Sequence, residues 1–254
     1  MGSAVDVLTR NAREVLAPTG SLRVGAFFGS PLSMTREIGT GEVHGLCIDL
    51  GRELAKRLDV PFELVTYQRI AEVLAAMQAG DVDFTVSNAT PARAQIVAFS
   101  QTLISLELGY LVPPASAIAT LADVDRPGLR VGVTRGSTSQ GTLPKLLPNA
   151  IVVPAENAAR AVEMFERGEL DLFATNKPTL FEMSDRMPGA RVLDGRWGVE
   201  HIAIAIPKGY EEGNEKGREA ALEFLRGFVA EAQAGGLLAR AVERAGLRGA
   251  VASG

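Results

Sequence analysis

The chain of 254 residues has one cysteine, Cys47, one tryptophan and two histidines, His44 and His201. A single cysteine forms no intrachain disulfide, so a disulfide-stapled scaffold is excluded. The two histidines are far apart in sequence, and no cysteine or histidine cluster has metal-ligand spacing, so no metal and no cofactor are expected. No apolar run approaches the ~20 residues needed to span a bilayer. Basic residues number 26 against 30 acidic ones, for a net charge of −4, and no basic stripe appears. That balance speaks against a nucleic-acid partner. Motifs of phosphate and acyl chemistry are also missing: there is no P-loop and no G-x-S-x-G, and LRVGAFFGS lacks the spacing of a dinucleotide fingerprint.

What the chain does have is a duplication. Residues Leu22 to Ser30 read LRVGAFFGS, and residues Leu129 to Ser137 read LRVGVTRGS. After a helix-like stretch each is followed by a second matched segment, GDVDFTVSN (Gly80 to Asn88) and GELDLFATN (Gly168 to Asn176). A repeat at this spacing describes two similar α/β lobes rather than a small-repeat solenoid. A cleft is expected where the matched strand ends face each other.

The elements follow from periodicity and punctuation. The first unit reads as strand Leu22 to Phe27, helix Ile48 to Leu58, strand Phe62 to Val65, helix Ile70 to Met77 and strand Val82 to Val86. This is a β-α-β-α-β order and predicts a mostly parallel sheet. A short helix, Val5 to Leu16, precedes it. The second unit reads as strand Val131 to Thr134, strand Ile151 to Val153, helix Ala158 to Phe165, strand Leu170 to Ala174 and helix Leu180 to Met187. Two apolar stretches, Leu106 to Pro113 and Ile202 to Pro207, read as buried strands and as the crossings between lobes. Glu215 to Gly246 reads as two amphipathic helices broken at Gly235-Gly236, packing back on the first lobe. The expected division is 1–109 with 204–254 as lobe 1 and 110–203 as lobe 2, with hinges near 108–114 and 200–206.

Several segments then converge in order and spacing: GEVHGLCIDLGRELAKRLDVPFELV, NATPARAQIVAFS, LRVGVTRGSTS and AIAIPKG. Together they make the chain resemble the family 3 extracellular solute-binding proteins, the polar amino acid type that serves ABC importers. The resemblance runs from about Leu22 to Gly246. It implies the periplasmic binding protein type II fold: two Rossmann-like α/β lobes, two hinge strands and closure on a small ligand. It also implies a monomer, placed in the periplasm or otherwise outside the cytoplasm, that partners a membrane permease.

Site residues follow from the same resemblance, each beside a plainer alternative. Arg93, in Thr90-Pro91-Ala92-Arg93, matches the arginine that grips a ligand carboxylate. A planar, permanently charged guanidinium fits a carboxylate fork, although an isolated arginine is usually solvated surface. Ser137 and Thr138 follow a strand and open a helix, where backbone N–H groups and hydroxyls bind anions. The plain alternative there is an ordinary N-cap. Arg135 beside them adds positive charge. Ser87, Asn88 and Thr90 are expected to supply hydrogen bonds, and Phe28 and Leu46, with Phe27, an apolar wall or simply core. Asn176 departs from the pattern, because many relatives have an aspartate there for the ligand's α-ammonium. A neutral amide both donates and accepts, so the ligand is either a carboxylate without an ammonium or one whose ammonium meets another acid. Glu107 and Glu200, near the crossings, are the candidates for that acid, although the plainer reading of each is a hinge or surface salt-bridge residue.

The function read from this is an ABC-importer solute-binding protein for a small carboxylate-bearing metabolite, with no catalytic residue. Two other classes share the fold: periplasmic cyclohexadienyl dehydratases, which need a general acid in the cleft, and ligand-sensing domains of receptors.

Overall fold

The computed structural model describes residues 4–37, 39–208 and 215–252. Gly209 of the AIAIPKG motif and the ends of the expected first lobe lie outside them. The first unit opens with α1 (Ala4–Leu16), β1 (Leu22–Phe27), a two-residue ribbon of β2 (Thr35–Arg36) and β3 (Val43–His44), and α2 (Leu46–Leu58). Next come β4 (Phe62–Tyr67), α3 (Ile70–Ala79) and β5 (Thr85–Asn88). The long strand β6 (Val97–Val112) then leads into β7 (Arg130–Thr134), α4 (Thr138–Leu146), β8 (Ile151–Ala155), α5 (Ala158–Glu166), β9 (Leu172–Asn176) and α6 (Lys177–Asp185). A short β10 (Arg191–Val192) precedes β11 (Gly198–Pro207), and the chain ends in α7 (Glu215–Ala234), α8 (Leu237–Arg244) and β12 (Val251–Ala252).

Two α/β units result, and their sheets join through β6 and β11. Among the named strands of the described residues, parallel pairing joins β1 with β4 and β7 with β8 and β9. Around these the order β5-β11-β6-β9 is antiparallel throughout. The expected mostly parallel sheet is therefore corrected to a mixed one. The reason is the pair of crossings, which run in opposite directions side by side from Val97↔Pro207 to Leu108↔Gly198. The 16-residue β6 also begins nine residues before the apolar stretch that announced it. Its first half, VAFSQTLIS, interrupts the apolar residues with Ser100, Gln101 and Thr102, none of them buried.

Core membership changes along β6. Leu103, Ile104 and Leu106 pack with α1, α2, β1, α7 and α8, together with Ile202, Ile204 and Ile206 of β11. Tyr110 and Val112 instead pack with β7, α4 and β9, and Leu111 packs with α5 and α6 on the other face. The leucines Leu46, Leu50, Leu54 and Leu58 form one fully buried stripe of α2, as a four-residue repeat on a helix requires.

The duplicated motifs build duplicated hardware. Arg23, of the first LRVG, donates from its backbone N and Nε to Asp83 Oδ2 (3.0 and 2.8 Å) and from Nη2 to Oδ1 (2.7 Å). Arg130, of the second LRVG, treats Asp171 the same way, at 2.8, 3.0 and 2.9 Å. Each fork ties the first strand of its unit to the segment that enters the last. It also explains why β5 starts at Thr85 rather than Val82. Asp83 and Phe84 are drawn to β1, where both N–H groups donate to the Arg23 carbonyl, before the chain moves over to pair with β11. Gly25 and Gly132, one residue past each fork strand's valine, face side chains that leave no room for a Cβ. The nearest atoms would be Val73 at 2.7 Å and Leu170 at 2.6 Å.

The two forks differ in burial: the Asp83 side chain is 2% exposed and that of Asp171 29%. Breaking a buried pair strands its partner, whereas an exposed pair is screened. Asp83→Ala is expected to cost about 3 kcal/mol of unfolding free energy and Asp171→Ala about 1 kcal/mol, read from urea midpoints. Equal losses would contradict this account.

Candidate functional site

The matched strand ends do face each other. Between the units lies a cavity of about 70 Å³, lined from the first unit by Phe27, Phe28, Leu32, Ser87, Asn88 and Arg93, among others. Ser137, Thr138, Asn157, Ala158, Asn176 and Thr179 line it from the second, and Glu200 from β11. The units approach closely around it. A Cβ on Gly136 would lie 2.6 Å from the Ala71 Cβ, and Gly136 has a φ of +73° that disfavours any side chain. Ser30 Oγ meets Thr179 Oγ1 at 3.2 Å, and Asn157 donates to Gln68 at 3.3 Å.

Two opposite charges face this cavity. Arg93 opens a 3₁₀ turn (Arg93–Gln95). Its Nη1 donates to Ser87 Oγ at 2.8 Å and, less closely, to the Asn88 carbonyl at 3.5 Å. Burial pushes the guanidinium's pKa down, and the nearby Glu200 charge holds it up. Glu200 is 8% exposed. Its Oε1 accepts from Thr138 Oγ1 at 3.0 Å and Asn88 Nδ2 at 3.4 Å, and its Oε2 accepts from Asn176 Nδ2 at 3.3 Å. Burial raises its carboxyl above the usual range, opposed by the Arg93 charge and these three donors. Arg93 and Glu200 affect each other through charge alone, without a shared hydrogen bond.

Arg93, Ser87, Asn88, Ser137, Thr138, Asn176 and Phe28 thus line one space. Ser137 is also the N-cap of α4, its Oγ accepting from the Gln140 N–H at 3.3 Å. Asn176 has a double role as well. Its Oδ1 caps α6 at the Thr179 N–H (3.1 Å) while its amide nitrogen serves Glu200. Helix α6 consequently begins at Lys177, before the expected Leu180, with Pro178 in its first turn. Thr90 stands behind Arg93, accepting from the Arg93 N–H at 3.2 Å, and lines an adjoining outer cavity.

Two expected residues are corrected. Leu46 does not reach the cavity, because it starts the buried stripe of α2 and packs in the core. Arg135 turns to solvent, where its Nε donates to Glu156 at 3.0 Å. Of the two candidate acids, Glu107 is engaged elsewhere, by Lys177 at 2.6 Å and Arg196 at 2.9 Å. Glu200 is the one in the cavity. Its signal in the sequence is a single carboxylate ahead of the apolar run Ile202 to Pro207. The amide pair Gln68–Asn157 gave no such signal, although both residues precede equivalent helices, α3 and α5. Cys47 is buried, its thiol pushed up to about 11 by desolvation, so it is held as the unreactive thiol. Among the described residues no group of three metal-ligating side chains occurs, and no helix is long and apolar enough to cross a membrane.

Two α/β units, joined by paired crossing strands and with a charged cavity between them, have the architecture of a two-lobed ligand-binding protein. The chain belongs to the bacterial extracellular solute-binding proteins, family 3, which it matches over residues 23–246. It is 27% identical over 202 residues to a glutamine-binding protein of Geobacillus stearothermophilus, covering 78% of this chain and 77% of that one. It is 26% identical over 174 residues to the ABC transporter glutamine-binding protein GlnH of Bacillus subtilis, covering 67% and 63%. Among solved structures, the ancestral amino acid-binding protein AncCDT-1, a precursor of cyclohexadienyl dehydratase, superposes with a TM-score of 0.77 at 26% identity, covering 92% of this chain and 98% of that one. The solute receptor for L-cysteine of Neisseria gonorrhoeae has a TM-score of 0.79 at 22% identity, covering 93% and 97%, and supports the fold.

The raised Glu200 carboxyl has a consequence for stability. A folded-state value above the unfolded one contributes stability that is present at low pH and is lost as pH rises through the folded value. The ligand-free protein should therefore lose stability relative to Glu200→Gln as pH climbs from about 4.5, the ordinary value, and the difference should then level off. Urea midpoints of both proteins across pH 4–8 measure it. A difference that grows with pH in favour of the unmodified protein would sink the assignment.

Proposed function

We propose that this protein captures an α-amino acid outside the cytoplasm and presents it to the permease of an ABC importer, acting as a monomer and without catalysis. One observation carries the reading: a half-buried guanidinium and a buried carboxylate face the same small cavity without bonding to each other. A zwitterion fits between them. Its carboxylate takes the paired donors of Arg93, supported by Ser87 and by the hydroxyl and N–H groups at the start of α4. Its ammonium takes Glu200, the role that relatives give to an aspartate at the position of Asn176.

Closure follows from the same arrangement. Arg93 belongs to the first lobe (1–109 and 204–254), while Ser137 and Thr138 belong to the second (110–203). A ligand held from both sides favours the closed state by its differential contacts. Strands β6 and β11 are the connections about which the lobes turn.

Glu200 also satisfies the demand of a dehydratase for a buried acid, and one structural neighbour is a precursor of such an enzyme. Volume argues against that reading. An engineered cavity of about 150 Å³ is what holds a benzene ring, roughly twice the space present here. No turnover of prephenate or arogenate is expected.

Calorimetry with α-amino acids and their amino-free carboxylate analogues tests the proposal. Amino acids are expected to bind and the analogues to bind on the order of 100-fold more weakly, since the missing ammonium leaves Glu200 unpaired. Arg93→Ala should abolish measurable binding of both. Tighter binding of the amino-free acids would remove the α-amino acid from the proposal.

A further inference from the structure

The cavity that holds Arg93 and Glu200 does not end at a solid wall. Phe28, Gly29, Gln68, Asn157 and Ala158 line it, and the same five residues line a second space of about 700 Å³ that opens outward, bordered by Arg36, Glu182 and Arg186. The inner space is a tenth of the outer one. What separates them is narrow and spans both units. Asn157 Nδ2 donates to Gln68 Oε1 at 3.3 Å. Gly29, at a φ of +87°, comes so close to α5 that a Cβ on it would lie 3.1 Å from the Ala158 Cβ. Beside the amide pair, Arg69 forms an ion pair with Glu156, which also accepts from Arg135. The amide pair is thus backed by charge on its flank.

We propose that the Gln68–Asn157 pair is a sieve that restricts the ligand to an α-amino acid with a small, uncharged side chain. The inference rests on the amino-acid reading above and narrows it. With both main-chain charges of the ligand satisfied, what is left of the inner space is bounded by Phe27, Leu32, Ile70 and Val86. Arg93 and Glu200 are the charged residues on its lining. A cationic or anionic side chain would find no third charge there, and a desolvated, unpaired charge is strongly disfavoured. A space of about 70 Å³, below the ~150 Å³ that takes six ring carbons, suits glycine, alanine or serine. Toward the outer cavity that Thr90 lines, the way is taken by the ligand's own carboxylate at Arg93, Ser137 and Thr138, so a glutamine or arginine side chain would have to push between the two amides into the other outer space. Gln68 is the residue to change, because it is exposed and caps no helix, whereas Asn157 Oδ1 caps α5 at the Arg160 N–H.

The test is calorimetry of the full chain with glycine, alanine, serine, glutamine and arginine, repeated with Gln68→Ala. The unmodified protein is expected to bind the best of the three small amino acids at least tenfold more tightly than glutamine or arginine. Gln68→Ala should shrink that margin at least tenfold, glutamine gaining on alanine whatever the lost cross-cleft hydrogen bond costs both. Glutamine or arginine bound as tightly as alanine by the unmodified protein overturns the sieve and leaves the amino-acid reading standing. A margin left unchanged by Gln68→Ala, with every ligand weakened equally, also overturns it, since the amides would then serve closure alone. Binding of none of the five, with an amino-free acid bound instead, overturns the underlying reading and this inference with it.

Discussion

Two opposite charges brought into one buried space without bonding to each other are the constraint on which the rest of this molecule turns. Removing an ion from water costs several kcal/mol even after relaxation, and a direct partner is the usual compensation. Arg93 and Glu200 have only partial compensation. Ser87 and a distant carbonyl serve the first, and three neutral donors serve the second. Burial accordingly shifts both groups toward their neutral forms. The arrangement is poor as a stabilising feature, and under the proposed function a zwitterion would complete both pairs at once.

The scaffold that tolerates this strain is built twice. Each half fixes its first strand with an arginine that clasps an aspartate through three hydrogen bonds, and each packs a side chain where a glycine Cβ would have been. Rigid halves carry their strand ends to the same place, so the functional groups come from equivalent positions. Asn88 and Asn176 end equivalent strands, and both donate to Glu200. Gln68 and Asn157 precede equivalent helices and meet across the cleft. The carboxylate itself comes from a crossing strand, which has no counterpart in the duplication.

That origin explains what was legible in the sequence. The forks, the α2 stripe and the paired strand ends each carry a local signature: a repeated LRVG, a leucine every fourth residue, a repeated strand followed by asparagine. The core face of β6 was only half legible, because Leu106 to Val112 is apolar but for Glu107 whereas Val97 to Ser105 is broken by Ser100, Gln101 and Thr102. Leu46 was misassigned for a geometric reason. One position beyond its glycine it already belongs to the helix, and helical period, rather than proximity to the cleft, sets its direction. Arg135 shows the reverse limit, since a charge beside the loop that opens α4 is free to choose another partner, here Glu156. Contacts across the cleft, such as Gln68 with Asn157, depend on how two folded halves meet, and no local pattern encodes them.

Asn176 and Glu200 are best understood together. An aspartate at 176 would set two carboxylates within about hydrogen-bond distance in a desolvated space, and such pairs share a proton rather than ionise twice. One acid would then be neutral, and the net charge offered to an ammonium would be no larger than Glu200 offers alone. An asparagine avoids that conflict and keeps the helix cap, because its oxygen faces the Thr179 N–H and its nitrogen faces the carboxylate. The neutral residue at the strand end is therefore the condition that lets Glu200 carry the single negative charge of the site.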